Sequence, residues 1–317
     1  TGSPRSWGHS LQDAGVSVES IGKLHYRDPA DDTGFDRLHI PMMVQDGVGM
    51  IWASIRHEEE RLIGPRRMLG DFIGRGDSSY TEYDAAVTER AVDWLRAAVE
   101  RPQGWCLYVG LVAPHFPLVC PPPFYDLYDG MSLPEPKCHP RDEYVRHPWI
   151  ERQNALMDSE SRFADEDERR RAFVTYYALV SWMDHNVGRI HGALEESGLA
   201  DDTVVIYSSD HGDNVGARGL WGKSNMYEES VAVPLLMAHP DLPPATCETP
   251  VSLVDLAVTI PDCFGLAGEP GMVGESLADI AKRDTDPDRA VFSEYHAAGA
   301  VTGAFIIRKG RHKLIHY

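Results

Sequence analysis

The sequence has few cysteines and no long apolar run. Its five cysteines are an odd number without Cys-x-x-Cys spacing, which fits a reducing compartment better than a disulfide framework. We therefore expect a cytoplasmic protein. No apolar run approaches the roughly 18 residues that a membrane-spanning helix needs, so we expect no membrane partner.

Positive charge is also scarce. The chain has 30 Lys and Arg against 49 Asp and Glu, which gives a formal net charge of −19. Nucleic-acid binding is excluded as a main function because phosphate contacts need clustered basic residues. A small anionic substrate stays compatible with this charge, since a bound metal ion and a few lysines can create a local positive field.

What the sequence does contain is enough apolar residues for a large core. With 317 residues, of which 43% are hydrophobic, the chain predicts a large α/β domain with an appendage. Residues 28–80 lack sustained periodicity and predict long loops with short helices, and the helix over 165–198 is expected to be broken once. The other predicted elements are helices over 7–15, 82–99 and 252–263, and strands over 16–21, 105–112, 203–208 and 233–237.

The pattern changes near the C-terminus. From residue 291, strands follow one another with no helix between them, which predicts a small antiparallel sheet. We therefore divide the chain into a large α/β domain over 1–288, which contains all of the candidate site residues below, and the start of a small α+β subdomain over 289–317.

The motif Ser209-Asp210-His211-Gly212-Asp213 comes directly after the buried strand predicted over 203–208. Ligands bind at the carboxyl ends of strands in open α/β sheets. Side chains of adjacent residues alternate across a strand, so Asp210 and His211 can bind one metal ion only where the backbone turns, and Gly212 permits a turn. The alternative is a helix-capping Asp210 beside a surface His211, with Asp213 as a loop acid.

Other cationic or imidazole side chains follow predicted strands. Lys23 and His25 would share a face if the first strand continued to His25, and His115 lies in a Pro-His-Phe-Pro segment after another strand. Lys223 lies on the glycine-rich loop after Asp213. Each residue alone fits a surface or structural role. Because parallel strands bring their carboxyl ends to one edge, the set together predicts a site for a sulfate or phosphate ester.

These motifs resemble the sulfatase family of the alkaline phosphatase superfamily, and most resemble choline-sulfatase-like enzymes and phosphonate monoester hydrolases. The matching segments, in family order, are Gly22-Lys23-Leu24-His25, Pro114-His115-Phe116-Pro117, Tyr176 to Gly188, Ser209 to Asp213, Gly219-Leu220-Trp221-Gly222-Lys223 and Tyr227 to Pro234. The resemblance implies an alkaline-phosphatase-like α/β sandwich with a central, mostly parallel sheet flanked by helices, and a small C-terminal antiparallel sheet.

The resemblance also implies roles for the site residues. Lys23 and Lys223 would bind the sulfuryl or phosphoryl oxygens. His115 would hydrogen-bond the anion near the leaving oxygen and act with Lys223 as general acid, and His25 would assist breakdown of the covalent intermediate. Asp210 and His211 would be metal ligands. We favour Ca²⁺ as the metal ion, with Mn²⁺ and Mg²⁺ as alternatives.

The family's nucleophile motif is not recognisable in this sequence. Family members carry Cys/Ser-x-Pro-x-Arg, in which the Cys or Ser is oxidised to formylglycine. Ser3-Pro4-Arg5 echoes the motif but stands directly before the first helix, and no cysteine has the required Pro and Arg context. We expect both ends to be cut and the formylglycine to lie upstream of Thr1. We therefore expect this chain alone not to complete catalysis.

Three functions stay open. The first is metal-dependent hydrolysis of sulfate monoesters. The second is hydrolysis of phosphonate or phosphate esters at the same site, and the third is a catalytically incomplete, sulfatase-like binding protein. The expected partner is a small anionic ester, and a homo-oligomer is left open. Trp52 or Trp149 would contact a cationic organic group, unless each only packs its own loop.

Overall fold

A parallel sheet and two long helices form the centre of the molecule. The computed structural model describes residues 5–28, 30–44, 68–101, 104–139, 144–155, 158–297, 300 and 302–317. The helices are α1 Trp7–Asp13, α2 Ser79–Ala98, α3 Pro122–Tyr125, α4 Pro148–Asn154, α5 Glu166–Glu196, α6 Glu228–Val231, α7 Val254–Asp262 and α8 Leu277–Ala281. The strands are β1 Ser17–Lys23, β2 Arg37–Met42, β3 Gly74–Arg75, β4 Trp105–Gly110, β5 Val119–Cys120, β6 Val205–Ser208, β7 Leu235–Ala238, β8 Ala290–Tyr295, β9 Ala304–Lys309 and β10 His312–His316.

The parallel sheet has the order β2-β1-β4. Its central strand β1 is buried along most of its length, and Ile21 packs against Val87 and Ala91 of α2. Helix α2 packs in turn against α5. Because β1 and β4 are parallel, their carboxyl ends lie side by side, with Gly22 paired to Gly110. The predicted α/β class and its parallel sheet are confirmed.

Three details of the predicted elements are wrong. The region 28–80 contains strand β2, which the sequence pattern did not indicate. Strand β6 pairs antiparallel with β7 instead of joining the parallel strands. The segment between them contains a 3-10 turn over Ala217–Gly219 and the four-residue helix α6, and neither is the full helix that usually forms a parallel crossover. Helix α5 runs unbroken for 31 residues, since no proline interrupts it.

The C-terminal strands form the predicted antiparallel sheet, with the order β10-β9-β8. One face of this sheet packs through Ile306 against Trp149 and Leu220. The other face exposes Phe292 and Leu314. The proposed domain boundary at 288/289 stays a prediction. None of the helices in the described residues is both long and apolar enough to cross a bilayer.

The buried carboxylate of Glu19 in the central sheet makes the stability of the fold depend on pH. Glu19 accepts hydrogen bonds from His39 Nε2 at 2.6 Å, from Trp94 Nε1 at 3.0 Å and from Arg101. Burial alone would raise the pKa of Glu19, but these bonds outweigh it and lower the pKa to about 2. A depressed carboxyl pKa stabilises the fold above its unfolded value of 4.5, and this contribution is lost as the pH falls towards 2.

We therefore expect Glu19→Gln to lower the free energy of unfolding at pH 6 and to weaken its dependence on pH. The loss of stability between pH 6 and pH 3 should be smaller in the variant by about 2 kcal/mol. Urea denaturation at the two pH values measures this difference. The same change in the exposed Glu82 should leave the pH dependence as it is. If the stability of Glu19→Gln depended on pH as the wild type does, the lowered pKa of Glu19 would not be the cause of this dependence.

Candidate active site

The carboxyl end of β1 brings a lysine next to the Asp210 motif. Gly22 has φ +100°, and a Cβ atom there would lie 2.2 Å from the carbonyl oxygen of Gly110. Only glycine lets β1 and β4 approach so closely at this point. Lys23 follows it, and its Nζ lies 3.9 Å from Oδ2 of Asp210, which comes after β6. The two strand ends therefore meet, as the sequence predicted.

His211 has a nitrogen that is free to bind a metal ion. Its Nδ1 donates to the carbonyl oxygen of Gly212 at 2.8 Å, so Nε2 carries the lone pair. That Nε2 atom is buried, has no hydrogen-bond partner and lies 3.6 Å from Oδ2 of Asp210. Gly212 is required here because a Cβ would lie 2.1 Å from the carbonyl oxygen of Glu229. A carboxylate oxygen beside an unprotonated imidazole nitrogen fits a divalent cation.

These two donors do not complete a metal site by themselves. Among the residues that the structure describes, no three His, Cys, Asp or Glu side chains are grouped so that they could hold a metal ion. Asp210 and His211 thus fit as part of a ligand set.

His115 and Lys223 form a hydrogen-bonded pair. His115 Nδ1 donates to the carbonyl oxygen of Phe116 at 2.7 Å, which leaves Nε2 to accept from Lys223 Nζ at 3.3 Å. Burial, followed by the charge of Lys223, lowers the pKa of His115 to about 3. The imidazole is therefore neutral near pH 7. Its ring centroid lies 6.2 Å from that of His211, so this pair borders the candidate metal ligands.

Lys223 is a cation in a partly dry environment. Burial and the nearby Lys23 lower the pKa of Lys223, while Asp210 and Asp213 oppose the shift. Asp213 also holds the loop, because its Oδ1 accepts from the backbone N–H groups of Val215 at 2.9 Å and Gly222 at 3.0 Å. Asp213 is thus the loop acid of the sequence-based alternative.

His25 is not placed as the strand pattern suggested. Strand β1 ends at Lys23, and His25 has φ +48°, so the two side chains do not share a strand face. The backbone turns because the N–H of His25 bonds to the carbonyl oxygen of Met42, the last residue of β2. Burial, Lys23 and Lys223 lower the pKa of His25, so it lies within the field of both lysines. Its assistance to the nucleophile stays a prediction.

Two acids near the site, the buried Asp84 and the half-buried Glu160, were not among the predicted site residues. Asp84 on α2 accepts from the backbone N–H groups of Val112 and Ala113. Glu160 accepts from Trp221 Nε1 at 2.6 Å, next to the loop that carries Lys223. An acid on the apolar face of an amphipathic helix is a signal that could have indicated Asp84. Glu160 lies in an irregular segment, where no periodicity marks it.

The remaining residues that the sequence suggested lie away from this site or outside the residues that the structure describes. Ser3, Pro4 and Trp52 lie outside the described residues. Arg5 pairs with Glu269, Nε to Oε1 at 3.0 Å. Trp149 is buried and stacks on Tyr317 at 4.7 Å between ring centroids, so it packs α4 against the C-terminal residue and is not free for a ligand.

Comparisons with known proteins agree with this geometry. Residues 5–266 match the sulfatase family model, and residues 216–317 match the model of the C-terminal region of N-sulphoglucosamine sulphohydrolase. The chain is 31% identical over 327 residues to a choline-sulfatase of Rhizobium meliloti (strain 1021), covering 98% of this chain and 62% of that protein. It is 28% identical over 340 residues to arylsulfatase K of Danio rerio, covering 98% of this chain and 60% of that protein.

A solved structure shows the same fold. A phosphonate monoester hydrolase from Silicibacter pomeroyi superposes with a TM-score of 0.73 at 23% identity, covering 98% of this chain and 71% of that one. The chain spans 62% and 60% of the length of the two curated relatives. Since the sulfatase family model matches most of the chain, the chain belongs to the sulfatase family.

Proposed function

We propose that this site hydrolyses sulfate monoesters with the help of a divalent metal ion. The observation that carries the proposal is the convergence of Lys23, Lys223 and neutral His115 on the Asp210-His211 turn. Two partly buried ammonium groups suit a tetrahedral anion, because charge interactions strengthen where water is excluded. The similarity to a choline-sulfatase supports sulfate as that anion.

The hydrogen bonding assigns roles within the pair of His115 and Lys223. His115 is neutral and uses Nδ1–H on a backbone carbonyl, so it has no proton ready for the leaving oxygen. Lys223 carries the proton of the pair, and its lowered pKa makes that proton easier to transfer. Lys223 is thus the general acid, His115 orients its ammonium group, and Lys23 binds the anion.

Asp210 and His211 would hold the metal ion. A bound divalent cation would withdraw charge from the ester oxygens. An oxygen-rich site favours Ca²⁺, while the imidazole nitrogen keeps Mn²⁺ in consideration, and Mg²⁺ is the third choice. The formylglycine nucleophile stays part of this proposal.

A second candidate is hydrolysis of phosphonate or phosphate esters. The same two lysines suit either tetrahedral anion, and the superposing structure is a phosphonate monoester hydrolase. A sulfatase-like protein that binds an anion without turnover is the third. The small anionic ester is the proposed partner in each case, with cytoplasmic location and a homo-oligomer as further predictions.

Turnover of matched substrates separates these functions. We expect the product of the complete gene to hydrolyse an aryl sulfate faster than the matching aryl phosphonate monoester, and the 317-residue chain to hydrolyse neither. A faster phosphonate reaction would favour the phosphonate or phosphate ester hydrolase. Anion binding without turnover by either protein would favour the sulfatase-like binding protein. Sulfate ester hydrolysis by the 317-residue chain would refute the expectation that it cannot complete catalysis.

A further inference from the structure

We propose that Asp84 is a positioning residue of this site, which holds the loop that carries His115. The proposal rests on the proposed anion site and adds a residue to it. Asp84 is on α2, far in sequence from each of the residues whose placement it would control.

Both carboxylate oxygens of Asp84 are used. The side chain is fully buried, Oδ1 accepts from the backbone N–H of Val112 at 2.7 Å, and Oδ2 accepts from that of Ala113 at 2.8 Å. These distances are short for neutral amide donors and typical of charge-assisted bonds. Two consecutive amides bound by one carboxylate fix both the position and the direction of the backbone as it leaves β4.

The fixed backbone leads directly to His115. The N–H of His115 bonds back to the carbonyl oxygen of Val112 at 3.0 Å, so the turn closes on the residue that Asp84 holds. The imidazole then bonds to the carbonyl oxygen of Phe116 and meets Lys223 at 3.3 Å. A shift of the Val112 and Ala113 amides would therefore move the His115 ring relative to the Lys223 ammonium group.

The ionised form of the Asp84 side chain suits its hydrogen bonds. Burial raises the pKa of Asp84, while the two backbone amides and the Lys23 ammonium group oppose this shift. An acceptor-only carboxylate suits two N–H donors, whereas a protonated acid would turn a hydrogen towards one of them. The ionised form of Asp84 thus fits both of its bonds to the loop that follows β4.

Asp84→Asn is the appropriate variant because it keeps the shape of the side chain. Its amide has one oxygen acceptor, so the NH₂ group must face one of the two backbone N–H groups. The matched control is Asp93→Asn, since Asp93 is exposed on the same helix.

Amide hydrogen exchange without any ligand is the first test. In Asp84→Asn we expect residues 112–116 to exchange at least about tenfold faster, while α2 and α5 exchange as in the wild type. The Asp93→Asn control should match the wild type throughout. Unchanged exchange over 112–116, or loss of protection throughout the molecule, would overturn the proposal of a local positioning role.

Binding of inorganic sulfate is the second test, measured by calorimetry in a double-mutant cycle with His115→Ala. We expect Asp84→Asn to weaken sulfate binding about tenfold in the wild type and less than about twofold in the His115→Ala background. Equal weakening in both backgrounds would show that Asp84 does not act through His115 and would overturn the proposal. If the wild type bound no sulfate, the proposed anion site would fail, and hydrogen exchange would still decide whether Asp84 holds the loop.

Discussion

Replacing Lys223 with alanine is expected to lower kcat/KM for an aryl sulfate by about 100- to 1000-fold in the product of the complete gene, the range seen when one charge-stabilising donor is removed. The ammonium group is partly buried and hydrogen-bonded to His115, so the alanine variant removes both its charge and its proton from the site. Most of the loss should lie in kcat, because a general acid acts mainly in the transition state.

The matched control for this prediction is Lys282→Ala, since Lys282 is an exposed lysine outside the site. We expect that variant to stay within about twofold of the wild type, as is usual for surface substitutions. A leaving-group series adds a sharper criterion. The defect of Lys223→Ala should shrink for esters of more acidic phenols, which need less protonation. An equal defect for all leaving groups would contradict the role of Lys223 as general acid.

Replacing His211 with alanine is expected to weaken divalent metal binding by at least about 100-fold in the product of the complete gene. The Nε2 atom is buried without a hydrogen-bond partner, so its lone pair is available to a cation and is removed in the variant. Loss of a direct ligand should weaken binding more than the 10- to 100-fold that is typical when a residue hydrogen-bonded to a ligand is replaced. Binding is measured directly with Mn²⁺ by electron paramagnetic resonance and with Ca²⁺ by calorimetry, without reference to turnover.

An exposed histidine provides the control for the metal prediction. His191→Ala, on the outer part of α5, should bind both ions as the wild type does. The wild type and the control should also gain thermal stability when the ion is added, since a ligand that binds only the folded state stabilises it. If His211→Ala kept the wild-type affinity for both ions, His211 would not be a ligand.

Much of the fold was predictable because its elements are local. Helix α2 shows apolar residues at helical spacing, and β4 and β6 are short apolar runs. The antiparallel pairing of β6 with β7 was not predictable from those runs, because an apolar strand pattern contains no information about its partner. The continuity of α5 was also missed.

The site divides in the same way. Asp210, His211 and Lys223 stand in short motifs that can be recognised along the chain, and the structure brings them to one place with Lys23 and His115. Asp84 was missed because its role depends on hydrogen bonds to two backbone amides of a segment distant in sequence. The left-handed backbone of His25 was also hidden, since it depends on a hydrogen bond to the end of a strand that the pattern did not indicate.

The sequence by itself determined the family, the chemical types of the site residues and most of the helices and strands, because each of these depends on residues close together in the chain. Only the tertiary structure decided which nitrogen of His211 is free, that His115 is neutral beside Lys223, and that Asp84 holds the loop that leads to His115. These properties depend on burial and on distances between separate elements, and such quantities arise only when the chain is packed.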